Sequence, residues 1–417
     1  MKINRNMLAL SALLFGAAQA APVTITYWQY DFASKVTTVN NLIKQFEAAN
    51  PDIKVKHETF PYDAFNQKVA TSVPAGQGPD VVNLFYGWLP QYVEAGYLQP
   101  LPEKDFPAKA LEKDFAPMVK ASKLDGKYWA LPTAVRSLAV FYNKDLFKQA
   151  GVKNPPKTWD EFISVASKIV KGQPPRFQQL GFGIQPDGQD YHVVREVLIR
   201  QFGGAPYSAD NKKATYNSAA GVKALTFYTD MATKQKLGIP NFFPGNNSYR
   251  DAFIAGKVGM IIDGSFAVGT IKNGAKFDWG VAPLPTLTAG GLRSNFGSYW
   301  ANGITKNAKG EKLEAAVKFM KFMTSEAVMR EWLNTVGEIP ARTSLAQDPK
   351  LRKDPVFGAF ISSLPFAKAT FFVDEAGQRK VWLDAINSVI LQNGDPAKAL
   401  AKAQADEQKI LDGYYKK

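Results

Sequence analysis

Aromatic side chains recur in this sequence at points where a predicted strand passes into a helix. The segment PDVVNLFYGW places Tyr86 and Trp88 directly after such a strand, and Tyr30 follows the first predicted strand in VTITYWQYDF. Connections of this kind often carry binding groups, because a rigid scaffold positions side chains that remain accessible. A flat ring packs against the C–H face of a sugar, while fixed polar groups bind its hydroxyls. The pattern therefore favours a site for a hydroxylated ring, with packing in a core as the alternative for each aromatic residue.

Further candidates for ligand binding lie at the ends of other predicted elements. Besides the three rings above they are Asp31, Asn83, Tyr191, Arg195, Ser265, Tyr299 and Trp300. Most of them end or follow a strand, where a short turn exposes backbone N–H groups beside the side chain. Tyr191 and Arg195 are four residues apart on a predicted helix, so they share one of its faces.

Residue types needed for several kinds of chemistry are missing or scattered. The chain has no cysteine and only two histidines, His57 and His192, so thiol chemistry is excluded and we expect no metal site and no cofactor. No Gly-x-Ser-x-Gly sequence occurs. Two carboxylates could serve an exported glycosidase, and Asp31, Asp80 and Asp263 are the candidates, although Asp80 is better explained as a capping residue. We expect no catalytic residues, and the glycosidase is the alternative.

The first twenty residues have the composition of a cleavable export signal. Lys2 and Arg5 precede the apolar segment MLALSALLFG, and AQA offers small residues for cleavage between Ala20 and Ala21. The absence of cysteine excludes a lipid anchor, and no later apolar stretch reaches the roughly 20 residues of a spanning helix. We therefore expect a periplasmic protein without membrane insertion.

The basic charge of the chain is spread over its surface. The formal net charge is +14. Lysines are scattered along predicted helices such as NLIKQFEAAN and EAAVKFMKFM rather than gathered in one stripe. Because nucleic-acid binding requires a concentrated basic surface, we expect no nucleic-acid partner.

Strand and helix patterns alternate along the chain. Between residues 23 and 85 the order is strand, helix, strand, helix, strand, which indicates a parallel sheet with helices on both faces. Ligands of such sheets bind beyond the carboxyl ends of the strands. The alternation starts again near Arg136 and runs to Pro285, and the Pro/Gly-rich segment APLPTLTAGGLRSNFG follows. At 417 residues the chain is expected to form two α/β units.

Four sequence blocks occur in order over nearly the whole mature chain. They are GPDVVNLFYGWLPQYVEAGYLQPL, KYWALPTAVRSLAVFYNKDLFKQAGV, GKVGMIIDGSFAVG and EAAVKFMKFMTSEAVM. This series resembles the carbohydrate-binding extracellular solute-binding proteins of ABC importers, a group that includes maltose-binding and glycerol-phosphate-binding proteins. The resemblance implies an α/β, periplasmic-binding-protein-like fold of type II, in which two lobes joined by a hinge enclose a ligand cleft.

The same resemblance implies lobe boundaries and further site residues. Lobe 1 would comprise residues 21–134 and about 286–340, lobe 2 residues 135–285 and about 341–417, with hinges near 133–136 and in the Pro/Gly-rich segment. Arg136 lies where relatives carry a polar ligand contact. Phe266 lies where relatives stack a tryptophan on sugar, and the change to phenylalanine puts the strength of stacking in question. Trp382 lies at another stacking position, with packing in a helical core as the alternative.

The resemblance also implies a function and partners. The protein would be the substrate-binding component of an ABC-type sugar importer and would deliver its ligand to the permease transmembrane subunits; we expect a monomer. Arg136 and Arg195 leave open an anionic sugar derivative or a glycerol-phosphate-type ligand. The excess of aromatic residues over arginines favours a neutral sugar. A binding module of a sensor or adhesin would share the same cleft and is a further alternative.

Overall fold

The computed structural model of the protein describes residues 21–245 and 247–416, apart from the side chain of Asp63. Residues 1–20, the predicted export signal, lie outside the described residues. The strands are β1 (Val23–Tyr30), β2 (Ile53–Phe60), β3 (Val81–Phe85), β4 (Lys123–Leu124), β5 (Lys127–Tyr128), β6 (Ala130–Asn143), β7 (Lys171–Gln173), β8 (Arg176–Phe182), β9 (Val258–Gly264), β10 (Trp279–Ala282), β11 (Asn295–Ile304), β12 (Ile339–Pro340) and β13 (Ala367–Lys368).

Helices follow most of these strands. They are α1 (Ala33–Ala49), α2 (Tyr62–Ser72), α3 (Leu89–Glu94), α4 (Ala108–Asp114), α5 (Lys144–Gln149), α6 (Trp159–Ile169), α7 (Ile199–Gln201), α8 (Ala219–Thr233), α9 (Ser248–Ile254), α10 (Val268–Gly274), α11 (Glu311–Met323), α12 (Glu326–Val336), α13 (Thr343–Ala346), α14 (Pro349–Arg352), α15 (Gly358–Ile361), α16 (Glu375–Gln392) and α17 (Pro396–Tyr415). Short helical turns include Tyr86–Trp88, Pro186–Asp190 and Ser265–Ala267.

The strands are ordered β2-β1-β3-β11-β6-β9-β8-β7. β1 lies between β2 and β3 and is parallel to both, which confirms the parallel sheet predicted for the N-terminal part. Their carboxyl ends therefore meet at one edge. Beyond β3 the direction changes, because β11 is antiparallel to both β3 and β6. On the other side β6 is antiparallel to β9, and β9 is parallel to β8.

Two long strands, β6 and β11, connect the N-terminal α/β unit with the second one. Residues of β6 up to Ser137 pair with β11, whereas from Leu138 onward β6 pairs with β9. At its other end β11 pairs with β3 through Trp300–Ile304. Because each strand belongs to both units, a rotation of one unit against the other must bend the backbone near this change of partners. The predicted hinge at residues 133–136 lies directly before it.

Two buried apolar clusters form the core, of which the first extends from the N-terminal unit to α9 and β9 and the second is formed mainly by the second unit. In the first, Val39, Leu42, Ile43 and Phe46 follow the spacing of an amphipathic helix and bury one face of α1. In the second, residues of α6, α8, α16 and α17 pack together. Residues 341–366 contact the first unit, where the Ala116 N–H donates to the Ala341 carbonyl at 2.8 Å, before the chain continues into α16.

Candidate functional site

A cleft of about 540 Å³ lies where the crossing strands meet the ends of the two units. Ser298 of β11 and Arg136 of β6 line it, and they are direct partners in the sheet. One wall is aromatic and comes from the first unit. The opposite wall is mainly polar and comes from the second unit.

The aromatic wall consists of Tyr30, Phe32, Tyr62, Phe85 and Trp300. The rings of Tyr30 and Trp300 pack with their centroids 4.1 Å apart, and Tyr62 lies 6.1 Å from Trp300. Tyr62 is 52% exposed and Phe32 is 41% exposed, which is unusual for side chains of this size. The wall therefore combines a buried base with two rings that an incoming molecule can cover.

A buried carboxylate, Glu338, fixes Arg136 at the base of the cleft. The Arg136 Nε donates to Glu338 Oε1 at 2.6 Å, and Lys35 Nζ lies 3.1 Å from the same oxygen. The other oxygen accepts the Trp332 Nε1–H at 3.0 Å. Burial favours the neutral carboxyl, but the charges of Arg136 and Lys35 outweigh this effect and lower the pKa of Glu338 to about 2. Glu338 is therefore ionised whenever the protein is folded near neutral pH.

Arg250 and Asp263 form a second ion pair on the polar wall. Arg250 Nε and Nη2 donate to the two oxygens of Asp263 at 2.7 and 3.1 Å, which is the two-pronged geometry that arginine favours. Asp263 is fully buried at the end of β9, and Gly264 N–H also donates to it at 2.7 Å. The pair holds α9 against β9 and keeps the guanidinium at the cleft.

The first turn of α16 supplies a third group of charges to the polar wall. Glu375 and Arg379, four residues apart, both line the cleft together with Asp187. Arg379 Nη2 donates to the Asp187 carbonyl at 3.0 Å, and its buried Nε has no hydrogen-bond partner among the described residues. Burial raises the pKa of Glu375.

Asp190 stabilises the turn that carries Asp187. Its Oδ2 accepts the Gln185 N–H at 2.7 Å and the Tyr228 hydroxyl at 2.5 Å. Burial raises the pKa of Asp190 to about 7, despite these hydrogen bonds, and the neighbouring carboxylates Asp263 and Asp187 act in the same direction. The turn at 186–190 is thus held by a carboxyl group that titrates near neutral pH.

Five of the predicted site residues lie together at the cleft. They are Tyr30, Arg136, Tyr191, Phe266 and Trp300. Tyr191 and the adjacent His192 come from the second unit, and the His192 ring stacks on Phe296 with centroids 3.5 Å apart. Burial and the charges of Arg195 and Arg379 lower the pKa of His192 well below its ordinary value, so the ring is neutral at physiological pH.

The other predicted residues lie outside the lining of the cleft. Asp31 is exposed and Ser265 is fully buried. Asn83 donates to Asn302 Oδ1 at 2.9 Å, and Trp88 packs behind Trp300 with centroids 5.3 Å apart. Tyr86 stacks on the fully buried Tyr299 at 4.9 Å.

Trp382 and Arg195 belong to a buried network in the second unit. Trp382 is fully buried, and its Nε1–H donates to Glu407 Oε2 at 3.1 Å. Arg195 Nη2 donates to the other oxygen of Glu407 at 2.6 Å, and that oxygen also accepts Gln378 Nε2 at 2.8 Å. Tyr191 therefore lines the cleft, whereas Arg195, on the same face of the helix, lies in the core.

Several cleft residues were missed by the sequence reasoning. They are Phe32, Tyr62, Asp187, Gln189, Tyr249, Arg250, Glu375 and Arg379. The sequence contains a signal for some of these residues. Phe32 and Tyr62 each lie at a helix start directly after a strand, where the same rule that selected Tyr30 applies. Glu375 and Arg379 lie at the start of the helix in which the family resemblance pointed to Trp382 instead.

Two of the three carboxylates considered for a glycosidase have structural partners. Asp263 is paired with Arg250, and Asp80 accepts the Thr26 N–H at 2.8 Å at the start of β3. In the described part of the chain no three His, Asp or Glu side chains are grouped closely enough to hold a metal ion. A membrane-crossing helix is also missing there, since none combines the necessary length with sufficient apolar character.

Comparison with known proteins gives matches over most of the chain. A family model described as bacterial extracellular solute-binding protein matches residues 41–359. The maltotriose-binding protein of Pyrococcus abyssi is 27% identical over 346 residues, which cover 82% of this chain and 72% of the relative. The galactooligosaccharide-binding protein of Bacillus subtilis is 28% identical over 380 residues, covering 88% and 85%.

A solved structure shares the fold. The ABC transporter solute-binding protein of Thermotoga lettingae bound with alpha-D-tagatose aligns with a TM-score of 0.77 and 26% identity, over 93% of this chain and all of that one. The predicted periplasmic-binding-protein-like fold of type II is thereby confirmed.

The Asp190 carboxyl predicts a specific pH dependence of stability. Between its ordinary pKa of 3.8 and about 7, the folded protein retains a proton that the unfolded chain releases. The free energy of unfolding should therefore fall as pH rises through this range, by up to about 1.4 kcal/mol per pH unit. Asp190→Asn should remove this part of the slope in urea unfolding measured from pH 4.5 to 7.5. Asp251→Asn, at an exposed carboxylate, is the control, and equal slopes in wild type and Asp190→Asn would contradict the prediction.

Proposed function

Because the chain belongs to the bacterial extracellular solute-binding protein family, as its sequence predicted, we propose that it is the substrate-binding component of an ABC-type sugar importer. Members of this family bind solutes, and the chain is a binding protein rather than an enzyme. The observation that carries the sugar assignment is the pairing of the two cleft walls. Exposed rings of the aromatic wall face a wall of arginines, carboxylates and amides, which suits a ligand with apolar faces and a hydroxylated edge.

The relatives support a carbohydrate as the ligand class. The names of two of them specify maltotriose and galactooligosaccharide, and the solved structure holds alpha-D-tagatose. Their ligands differ in length and in sugar type, so the resemblance supports the class and not one sugar. A cleft of about 540 Å³ has room for a sugar of one to a few rings.

The two units act as lobes that close on the ligand. Lobe 1 comprises residues 21–134 and about 286–340, together with residues 341–366, which were expected in lobe 2 but contact the first unit; the rest of the mature chain is lobe 2, and the hinge lies where β6 and β11 cross. A ligand that touches both walls stabilises the closed arrangement only by its additional contacts there. Closure would present a joint surface of both lobes to the permease transmembrane subunits. The protein would be exported with cleavage between Ala20 and Ala21, and it would act as a monomeric receptor in the periplasm.

An anionic sugar derivative or a glycerol-phosphate-type molecule is the second candidate ligand. Three arginines line the cleft, Arg136, Arg250 and Arg379, and guanidinium groups bind carboxylate and phosphate groups well. Two of the three are already paired with buried carboxylates. This pairing favours the neutral sugar.

Isothermal titration of the mature protein tests the ligand class. The panel comprises maltotriose, a galactooligosaccharide, D-tagatose, galacturonic acid and a glycerol phosphodiester, after mass spectrometry of denatured protein has shown which sugar, if any, was co-purified. We expect saturable binding of a neutral sugar. Binding of only the acidic compounds would replace the first candidate by the second, and failure of every compound, with no co-purified sugar, would contradict a sugar receptor.

Tyr62 offers a direct test of the aromatic wall. Because its ring is half exposed, Tyr62→Ala should leave the free energy of unfolding nearly unchanged. Loss of the ring should weaken sugar binding by about 1–3 kcal/mol, since a covered aromatic side chain contributes about this much. Titration of the sugar found above measures the effect. Tyr415→Ala is the control, because it removes another exposed tyrosine at the end of α17, and it should bind the sugar like wild type. Unchanged affinity in Tyr62→Ala would exclude stacking of the sugar on Tyr62.

Trp382 should show the opposite behaviour. Its ring is fully buried and its N–H is paired with Glu407, so Trp382→Ala should lower the free energy of unfolding by about 3–5 kcal/mol. The affinity of the molecules that remain folded should stay close to wild type. A stable variant with weakened binding would instead place Trp382 in contact with the ligand.

A further inference from the structure

Two arginines of the cleft stack on a single ring. The guanidinium carbon of Arg136 lies 4.9 Å from the centroid of Phe266, and that of Arg250 lies 5.4 Å from it. Arg136 belongs to the crossing strand β6, Arg250 to α9, and Phe266 to the turn after β9. One aromatic side chain thus connects cations from the hinge and from lobe 2. Cations at these distances are attracted by the electron-rich face of a ring.

Each guanidinium is also held from another side by a buried carboxylate. Glu338 contacts Nε and Nη2 of Arg136, and Asp263 contacts Nε and Nη2 of Arg250. Both carboxylates are almost completely inaccessible to solvent. We call the five side chains Glu338, Arg136, Phe266, Arg250 and Asp263 the Phe266 clamp. Among the described residues neither Nη1 group is paired with a carboxylate, and the Arg250 Nη1 donates to the Asn247 Oδ1 at 3.2 Å.

The ring at the centre of the Phe266 clamp has little freedom to move. A side chain at Gly264 would place its Cβ 2.1 Å from the Phe266 ring, so the ring lies directly on the glycine backbone. With the glycine backbone and two guanidinium groups against it, the ring is only partly exposed at the cleft. Phe266 is therefore poorly suited to be a free platform for a sugar face, unlike the exposed Tyr62 and Phe32 on the opposite wall.

The charges at the cleft cancel. The lining residues include three cations, Arg136, Arg250 and Arg379, and two carboxylates, Asp187 and Glu375. The groups paired with the clamp arginines add Glu338, Asp263 and Lys35. Among the side chains that the structure describes, this gives four cationic and four anionic groups, and His192 is neutral. An anionic ligand would lose its hydration without meeting a net positive charge, whereas a hydroxyl can accept from a guanidinium N–H at little such cost.

We propose that Phe266 is a positioning residue that acts through Arg136 and Arg250, and that the Phe266 clamp selects neutral sugars over acidic ones. The ring and the two carboxylates hold the guanidinium groups so that their remaining N–H groups donate to sugar hydroxyls. This inference rests on the proposed function, because it assigns a role to the clamp within a sugar-binding cleft.

The test compares three variants in the full mature chain. Phe266→Leu removes the ring but keeps an apolar side chain, Phe266→Trp restores an aromatic face, and Tyr62→Leu is a matched control on the opposite wall. The first readout is the proton–nitrogen NMR spectrum of the arginine Nε–Hε groups without ligand, assigned with Arg136→Lys and Arg250→Lys. A ring above a guanidinium displaces its Hε resonance. We expect this displacement for both arginines in wild type, its loss in Phe266→Leu, its return in Phe266→Trp and no change in Tyr62→Leu.

The second readout is the ratio of affinities for the bound neutral sugar and for its uronic acid. Phe266→Leu should weaken binding of the neutral sugar about 2- to 30-fold, the range of one cation–π contact, and should lower its preference over the uronic acid. Tyr62→Leu should weaken both without changing the ratio.

The two readouts separate the possible failures. Arginine resonances that do not respond to Phe266→Leu overturn the clamp, whatever the protein binds. A lower affinity with an unchanged ratio makes Phe266 a direct stacking residue, and a wild type that prefers the uronic acid overturns the selection of neutral sugars. Failure of wild type to bind any sugar, with displaced arginine resonances present, contradicts the proposed function and leaves the geometry of the clamp intact.

Discussion

The candidate site depends on the ion pairs that the buried Glu338 carboxylate forms with Arg136 and Lys35. It lies almost without solvent contact between Arg136 of β6 and Lys35 of α1, next to the point where β6 changes from one sheet partner to another. A charge in such a position is stable only with its partners, and removal of one partner of a buried pair typically costs about 3–5 kcal/mol. Glu338 therefore couples α1, the crossing strand β6 and an arginine at the cleft, so the direction of Arg136 follows from the fold of the first unit.

The same geometry explains how one cleft can have two different walls. The carboxyl ends of β1 and β3 and the residues that follow β1 and β2 bring rings to one side, while α9, the turn at 186–190 and the start of α16 bring charges to the other. β6 and β11 run beneath both, and Ser298 and Arg136 mark the base. A ligand between the walls contacts both lobes, which is the condition for coupling binding to closure. Ion pairs that neutralise the arginines give directional donors without an excess of charge.

The sequence predicted the fold well because the periodicities of strands and helices are local properties. These periodicities identified β1, β3 and the strand–helix alternation that starts again near Arg136. It predicted the site only in part, because side-chain direction depends on details that one sequence does not contain. Tyr299 and Trp300 are neighbours on β11, and successive residues of a strand point to opposite faces, so one is buried against Tyr86 and the other lines the cleft. In α16 the first turn reaches the cleft, whereas Trp382, two turns later, lies in the core. Arg250 was missed because it lies within a helix, 13 residues before Asp263, and only the packing of α9 against β9 brings the two side chains together.

Small-angle X-ray scattering of the mature protein, with and without a saturating neutral sugar identified by titration, tests the central claim most directly. If the cleft between the lobes is the site, binding should close it, and the radius of gyration should decrease for wild type. The decrease should be reversed when the sugar is removed by dialysis. A protein that binds the sugar with the affinity of a receptor but scatters identically in both states would contradict a cleft that closes at the crossing strands.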